Sequence, residues 1–302
     1  MNAQENSAYI SQVKKTKMIA VIDIGSNSVR LMVKDGSNKQ KFLITTRLAE
    51  GKVNGALSKI SMDRTANAVA VLFDKAIKMG AEEVLVFATA AVRNSVNGSD
   101  FTSLVFEKTG LKVDVVSGDL EANLAIRGAL NGQDGGVIDI GGGSTEIAFS
   151  QGGEVVYSQS YPFGAVSLNG LFNGDKQSIS TFLQNSLKGV RRAFNGKVYG
   201  VGGTITTLSL INLKINEYQA ELVESKPLSV NELFAIKEEL FSLTPNEIRD
   251  KYPIASSRAD IIAGGAEILY SVMACYGISE VWGSDGDNLE GYLEHVYEKE
   301  QR

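Results

Sequence analysis

Two stretches of the chain share one order of apolar and polar positions, V-I-D-I-G-x-x-S, at residues 21–28 and 137–144. In each stretch apolar residues flank an aspartate and run into a turn of small residues. This pattern predicts a buried strand followed by a tight turn. Its recurrence at two distant places predicts that the chain consists of two duplicated halves.

Each half continues with two further predicted strands and then with alternating helices and strands. The paired strands are predicted at 29–34 and 41–46 in the first half, and at 145–150 and 154–161 in the second. Apolar residues at helical spacing after Ser61, the predicted N-cap, indicate a helix that Gly80 ends. The later elements are predicted as strand 84–88, helix 99–109, strand 112–116, helix 176–194, strand 197–201, helices 204–213, 229–242 and 258–275, and strand 280–283.

The order β-β-β-α-β-α-β-α in each half predicts an α/β fold, with a mixed five-stranded sheet covered by helices. Two such halves facing each other would leave a cleft between them. A chain of 302 residues exceeds what one core usually supports. We predict domain I at residues 1–122 together with 289–302, and domain II at residues 123–288.

Composition and charge narrow the function. The formal net charge of −5 argues against a nucleic-acid-binding surface, so a site for a polyanion must be built locally. One cysteine, Cys275, and one histidine, His295, provide no internal disulfide, histidine-based zinc site or Ser-His-Asp triad. The polar residues 1–17 do not resemble a secretory signal, and no run reaches the apolar length of a membrane span. We therefore expect a cytoplasmic protein without a membrane or nucleic-acid partner.

Three turns carry the small residues that suit phosphate binding. Consecutive backbone N–H groups in a tight turn form a positively polarised concavity, and small residues let an anion approach. The first two turns could equally be ordinary hairpin turns, whereas the third joins a strand to a helix, whose N-terminus attracts anions. The candidate phosphate-binding residues are Gly25, Ser26, Asn27 and Ser28, then Gly141, Gly142, Gly143 and Ser144, and finally Gly202, Gly203 and Thr204.

Acidic residues accompany the first two turns. Asp23 and Asp139 occupy equivalent positions in the two repeated strands, and Glu146 follows the second turn. Mg²⁺ prefers a few carboxylate oxygens completed by waters and substrate phosphates, so these three acids are candidate ligands. Alternatively, each aspartate caps its own turn.

Three further residues are candidates for direct roles in catalysis. Glu121 lies where a strand ends and a helix begins, and could accept a proton from an attacking water. The helix dipole also favours an acid there without any catalytic role. Arg93 and Arg30 could hold a terminal phosphate by paired hydrogen bonds, or could lie on the surface.

These segments resemble the exopolyphosphatase and guanosine pentaphosphate phosphohydrolase (Ppx/GppA) family, whose doubled actin-like (ribonuclease H-like) domain is shared with sugar kinases and chaperone ATPases. The resemblance is spread over most of the chain, and longer relatives carry additional C-terminal helical domains. The segments that carry it are 21–30, 47–51, 88–93, 117–118, 121–122, 137–146, 202–204, 258–260 and 284–286. The resemblance implies Glu121 as the catalytic base, Arg93 as a phosphate ligand, Asp139 and Glu146 at the Mg²⁺ and water site, and phosphate in the turn from Gly141 to Ser144.

Two positions depart from the pattern of that family. Leu120 stands where a second acid usually precedes the catalytic glutamate, and Leu289 stands where an arginine is usual. Neither departure removes the candidate base, Glu121.

From the candidate residues and the family resemblance, we predict Mg²⁺-dependent hydrolysis of the terminal phosphoanhydride of polyphosphate, with guanosine pentaphosphate as the alternative substrate. An ATP-dependent kinase and a non-enzymatic sensor of polyphosphate or an alarmone are the rival functions. K⁺ is a second candidate ion, and a homodimer is one expected assembly.

Overall fold

A computed structural model describes residues 17–190, 194 and 196–300, and within this part of the chain the strands form two mixed sheets. In the first sheet the order is β3-β2-β1-β4-β5, with β1 antiparallel to β2 and parallel to β4. In the second the order is β10-β11-β9-β6-β7-β8, with β6 antiparallel to β7 and parallel to β9. The strands are β1 (Ile19–Ile24), β2 (Ser28–Asp35), β3 (Asn38–Thr45), β4 (Glu83–Ala88), β5 (Asp114–Val115), β6 (Gly135–Ile140), β7 (Thr145–Gln151), β8 (Glu154–Tyr161), β9 (Val198–Val201), β10 (Leu228–Ser229) and β11 (Glu280–Gly283).

Helices follow the strands in the order that the sequence predicted, with several additions. A 3-10 helix, Pro253–Arg258, precedes α11. The helices are α1 (Lys59–Lys78), α2 (Ala90–Arg93), α3 (Gly98–Thr109), α4 (Gly118–Leu130), α5 (Ala165–Phe172), α6 (Lys176–Ser186), α7 (Gly202–Leu213), α8 (Ala220–Val223), α9 (Val230–Ser242), α10 (Pro245–Lys251), α11 (Ile262–Tyr276) and α12 (Asn288–Glu300).

Several details of the predicted elements were wrong, including the strand predicted at 112–116, of which only Asp114–Val115 is a strand. The second sheet has six strands rather than five, because the two-residue β10 pairs with β11 at its edge. The N-cap of α1 is Ser58 rather than Ser61, since the extended Ser58 accepts a hydrogen bond from the Ser61 backbone N–H. The helix predicted to reach residue 194 ends at Ser186, and residues 191–193 lie outside the described residues. The helix predicted from residue 258 begins at Ile262, after the 3-10 helix.

Helix α4 lies between the two sheets and packs against both. Leu124 belongs to a buried cluster with Val21 and Phe87 of the first sheet. Ala125 and neighbouring residues of α4 belong to a second cluster, with Val137 of the second sheet. The boundary predicted between residues 122 and 123 falls inside α4 and stays a prediction.

Helix α12 returns the C-terminal part of the chain to the first sheet. The ring of Tyr292 stacks on that of Phe87 with centroids 4.4 Å apart. Leu289, one of the two departures from the family pattern, is buried in the same cluster, and Leu120 packs against it. Both leucines therefore contribute apolar packing where the family pattern has charge. None of the helices in the described part of the chain combines the length and apolarity needed to cross a membrane.

Candidate active site

A cavity of about 440 Å³ lies between the two sheets, and the predicted phosphate-binding turns form its walls. Both turns connect antiparallel strands, and both are closed by the same hydrogen bond, from Gly25 N to Ser28 O and from Gly141 N to Ser144 O, each 3.0 Å. The turns therefore are hairpin turns and also line the cavity, so the two interpretations of the sequence are compatible. The repeated hydrogen bond shows that the shared octapeptide fixes the same local geometry twice.

The two turns are in close contact across the cavity. A Cβ atom added to Gly142 would lie 2.6 Å from the Cβ of Ser26, and one added to Gly143 would lie 2.9 Å from its Oγ. Only glycine leaves room for this approach. The third turn reaches the same cavity, where Gly202 has φ +81° and its added Cβ would lie 2.6 Å from Oδ1 of Asp139. All three turns thus converge on one site.

The two hairpins differ in the residue that lies opposite the shared aspartate, and this difference determines the net charge of each hairpin. Asp23 faces Arg30 across β1 and β2, whereas Asp139 faces Glu146 across β6 and β7. The first pair is of opposite charge, and the second places two acids on one face. The first hairpin therefore carries a neutralised pair of charges, whereas the second carries an excess of negative charge.

Arg30 is held by two carboxylates. Its Nε donates to Oδ2 of Asp23 at 2.9 Å, its Nη2 donates to the same oxygen, and its Nη1 donates to Oδ2 of Asp287 at 2.6 Å. Burial raises the pKa of Asp23, although the charge and hydrogen bond of Arg30 act against this rise. Burial acts to raise the pKa of Asp287 too, but the charges of Arg30 and Lys41 outweigh it and hold that pKa below its usual value.

Asp139 is buried and receives a hydrogen bond from the side chain of Asn288. Nδ2 of Asn288 donates to Oδ2 of Asp139 at 2.9 Å. Burial raises the pKa of Asp139 to about 6, against the lowering charge of Arg30. Asn288 begins α12, so the C-terminal helix orients this acid.

Glu121 occupies the first turn of α4 and faces the cavity. Ser117 caps this helix by accepting a hydrogen bond from Leu120 N at 3.2 Å, which leaves the Glu121 carboxylate available for other contacts. Nη1 of Arg93 donates to Oε2 of Glu121 at 2.8 Å and to the carbonyl oxygen of Val116 at 2.9 Å. Burial raises the pKa of Glu121 to about 7, although the hydrogen bond and charge of Arg93 lower it. A carboxylate with such a pKa suits a general base at neutral pH.

Glu146 is buried behind the cavity wall, close to Glu121 and Asp139. Its Oε1 accepts a hydrogen bond of 2.7 Å from Oγ of Ser160. Burial raises the pKa of Glu146 well above its ordinary value, and the charges of Glu121 and Asp139 add to the rise. These three acids therefore repel one another in a buried site, which a cation would stabilise.

The carboxylate oxygens of the site can be compared with the ligands that Mg²⁺ requires. In the described part of the chain no three His, Cys, Asp or Glu side chains converge as a metal cage. Oε2 of Glu146 and Oδ1 of Asp23 are nevertheless buried without a hydrogen-bond partner among the described residues. Mg²⁺ usually takes one or two protein carboxylates and completes its shell with water and substrate phosphates. Asp139 and Glu146 fit that requirement, because they face each other across one strand pair.

The structure brings the predicted site residues together with two exceptions. All of them line the cavity apart from Arg93 and Glu146. Arg93 donates a hydrogen bond to Glu121, which does line the cavity. Glu146 interacts with the cavity through the charges of Glu121 and Asp139, which raise its pKa. Sequence reasoning missed several charged or polar residues of the cavity wall: Lys41, Tyr218, Arg258, Asp285, Asp287 and Asn288. The resemblance had marked the segments of Arg258 and Asp285, but it assigned them no role.

Arg258 is the most informative of the missed residues. An added Cβ on Gly203 would lie 1.9 Å from its Nη2, so the guanidinium sits directly against the third turn. Burial lowers the pKa of Arg258 to about 10, and the charge of Arg30 contributes. Two arginines thus face the cavity from the two halves of the chain.

Comparisons with known proteins agree with this geometry. A family model described as the Ppx/GppA phosphatase family matches residues 37–300. The chain is 30% identical to the bifunctional 3-dehydroquinate synthase/phosphatase of Fusobacterium nucleatum over 94% of its own length, but it spans only 47% of that protein. It is 29% identical to exopolyphosphatase 2 of Mycobacterium tuberculosis, over 90% of this chain and 96% of that protein.

A solved structure extends the similarity to the fold. The Ppx/GppA family member of Aquifex aeolicus superposes with a TM-score of 0.77 at 27% sequence identity, over 95% of this chain and 99% of that one. The predicted fold class of duplicated actin-like domains is thereby confirmed. The chain belongs to the Ppx/GppA phosphatase family.

Proposed function

From its family and from the geometry of the cavity, we propose that this protein hydrolyses the terminal phosphoanhydride of inorganic polyphosphate and releases orthophosphate. The observation that carries the proposal is the position of Glu121, whose buried carboxylate with a pKa of about 7 faces the same cavity as the paired turns. The similarity to exopolyphosphatase 2, which extends over nearly its whole length, supports polyphosphate as the substrate.

In the proposed reaction a water oxygen attacks the terminal phosphorus in line with the bridging oxygen. The new P–O bond forms as the bridging P–O bond breaks, and the shortened polyphosphate leaves with the electron pair of that bond. Glu121 accepts the proton of the attacking water, and Arg93 orients its carboxylate through the 2.8 Å hydrogen bond.

The remaining groups bind the phosphates. The turns at Gly25 to Ser28 and Gly141 to Ser144 supply backbone dipoles, and Arg258 supplies positive charge beside the third turn. Mg²⁺, which Asp139 and Glu146 would hold, supplies neutralisation of phosphate charge when it is bound. K⁺ binding, dimerisation and a cytoplasmic location stay predictions.

Guanosine pentaphosphate is the second candidate substrate, because part of the cavity wall is apolar. The apolar side chains of the wall include Phe42, Leu43, Leu210, Ile254 and Ile261. Such a wall could receive a nucleoside, whereas inorganic polyphosphate has no apolar group to bury.

The test is phosphate release in the presence of Mg²⁺ from tripolyphosphate, long-chain polyphosphate and guanosine pentaphosphate. We expect release by the wild-type protein, and a loss of about a hundredfold or more in Glu121→Gln with ligand binding retained. Asp119→Asn is the matched control, because Asp119 lies in the same first turn of α4 but is exposed to solvent. Absence of release from every substrate, despite measurable binding, would refute the hydrolase and favour a sensor.

A further inference from the structure

The short segment 284–287 between β11 and α12 places a carboxylate against Arg30. The two oxygens of Asp287 have separate contacts. Oδ1 accepts a hydrogen bond of 2.9 Å from Leu289 N, which caps the start of α12, and Oδ2 accepts one of 2.6 Å from Nη1 of Arg30. Lys41 Nζ lies 3.6 Å from the same Oδ2. Asp287 is 8% exposed and lines the cavity together with Arg30.

Each of the three guanidinium nitrogens of Arg30 therefore already donates one hydrogen bond to a carboxylate, and one N–H remains on each of Nη1 and Nη2. Asp23 takes Nε and Nη2, and Asp287 takes Nη1. A guanidinium binds carboxylates and phosphates with the same N–H donors and the same geometry. A substrate phosphate that approaches Arg30 therefore meets a guanidinium whose charge is already balanced by two carboxylates, and it competes with Asp287 for Nη1.

The two carboxylates are not equally replaceable. Asp23 lies in β1, directly opposite Arg30 in an antiparallel pair, so its backbone position is fixed by the sheet. Asp287 lies in a segment between two elements and belongs to no strand. Its bond to Arg30 joins residues 257 positions apart in the chain. Displacing the Asp287 side chain from Arg30 would therefore break a long-range bond and a helix cap but no strand pairing.

We propose that Asp287 is an internal competitor of the substrate phosphate for Arg30, and that it sets the affinity of the site for polyphosphate. The inference rests on the proposed function. Asp287 is a specificity-determining residue that acts through Arg30, because its carboxylate occupies Nη1 and neutralises part of the charge that a phosphate would bind. The competition weakens the binding of short anions more than that of long ones, since a long chain makes other contacts as well.

The test measures binding rather than turnover. Tripolyphosphate is titrated into the full chain by calorimetry, with Glu121→Gln as the common background so that hydrolysis does not interfere. We expect Asp287→Asn to bind tripolyphosphate about tenfold more tightly, since asparagine keeps the helix cap but loses the charge-assisted bond. Orthophosphate, as the shorter probe, should gain at least as much as tripolyphosphate.

Asp285→Asn is the matched control for a general loss of negative charge. Asp285 also lines the cavity, but its carboxylate pairs with Lys39 at 2.9 Å and with the hydroxyl of Tyr218 rather than with Arg30. We expect a smaller gain in this variant than in Asp287→Asn, because Asp285 pairs with Lys39 and Tyr218 and makes no bond to Arg30. Equal gains in the two variants would mean that net charge sets the affinity, and would overturn the inference.

A double-mutant cycle with Arg30→Gln gives a second measurement. If Asp287 acts through Arg30, its replacement should change the affinity less than about twofold once Arg30 is gone. A full gain in that background would contradict the proposal. Should Arg30→Gln not fold, the comparison of Asp287→Asn with Asp285→Asn decides alone. If the Glu121→Gln protein binds tripolyphosphate and the addition of Asp287→Asn does not tighten binding, this inference fails while the proposed function stands. If no variant binds it, both fail.

Discussion

Arg93 donates a hydrogen bond of 2.8 Å from its Nη1 to Oε2 of Glu121, and the same nitrogen also donates to the carbonyl oxygen of Val116. The arginine is thereby tied to the backbone at the end of one strand and fixes the carboxylate of the next helix. Its charge and hydrogen bond lower the pKa of Glu121, while burial, the larger effect, raises that pKa to about 7. The balance between these effects can be measured.

The rate of phosphate release should depend on the ionisation of Glu121. The reactive form of a general base is the carboxylate, so kcat/KM should rise with pH and level off above about pH 7. Arg93→Gln removes the influence that lowers the pKa, so the rise should move to higher pH. Comparing the two proteins on one substrate cancels the titration of the substrate itself. An unchanged profile would contradict the assignment of Arg93 as the partner that tunes Glu121.

The buried acids should make the protein less stable as the pH rises. The folded-state pKa of Glu121 lies above its unfolded value, so its contribution to stability is fully present below about pH 4.5 and is lost as the pH passes about 7. Glu121→Gln removes this dependence. Relative to wild type, the variant should therefore gain unfolding free energy between pH 5 and pH 8, on the order of 2 kcal/mol. Denaturant unfolding at both pH values measures this difference. An equal gap between the two proteins at pH 5 and pH 8 would show that Glu121 has no raised pKa in the folded protein.

The contact between the two turns should make Gly142 irreplaceable. Alanine there would place a Cβ atom 2.6 Å from the Cβ of Ser26 and 3.0 Å from Cγ2 of Val166, so the turns must separate. We expect Gly142→Ala to weaken tripolyphosphate binding about tenfold or more, because misplaced binding groups lose affinity steeply. Calorimetric titration measures the loss.

Gly170 provides the control for that substitution. It lies within α5, and its added Cβ would meet no atom within 4 Å. Gly170→Ala should keep the affinity and raise the unfolding free energy by about 0.5–1 kcal/mol, since alanine favours helix. Similar losses of binding in both variants would argue against a specific contact between the turns.

A salt bridge connects the loop after β3 with the segment before α11. Nη1 and Nη2 of Arg47 donate to the two carboxylate oxygens of Asp260 at 2.8 and 3.1 Å. Both side chains are partly exposed, so Arg47→Ala should lower the unfolding free energy by no more than about 1 kcal/mol. Because the pair joins the two sides of the cavity, we expect a clear fall in kcat/KM.

The coupling between Arg47 and Asp260 can be separated from their individual effects. Arg47→Ala, Asp260→Ala and the double variant form a cycle, and the double variant should be no worse in kcat/KM than either single one. Lys59→Ala, which removes an exposed pair with Asp63 inside α1, is the control and should leave kcat/KM unchanged. Additive losses in the cycle would mean that the two residues act separately.

The sequence by itself determined the local geometry of this protein. The repeated V-I-D-I-G-x-x-S pattern predicted two strand–turn–strand units, and the structure closes both turns with the same hydrogen bond. The predicted junction of a strand and a helix placed Glu121 correctly in the first turn of α4, because helix starts depend on residues only a few positions apart. Alternation of apolar and polar positions, turn chemistry and caps all act within about ten residues, so one sequence suffices to find them.

Only the tertiary structure decided which charges meet. Arg30 and Asp287 are 257 residues apart, Arg47 and Asp260 are 213 apart, and Asp139 and Asn288 are 149 apart. No local pattern marks such pairs, since they depend on how α12 and the second sheet return to the first. The same long-range packing buries Glu121 and Asp139, and burial is the main cause of their raised pKa values. The sequence could therefore name the candidate base and the candidate phosphate-binding turns. The ionisation of the acids and the competition for Arg30 arise only when the two halves pack together.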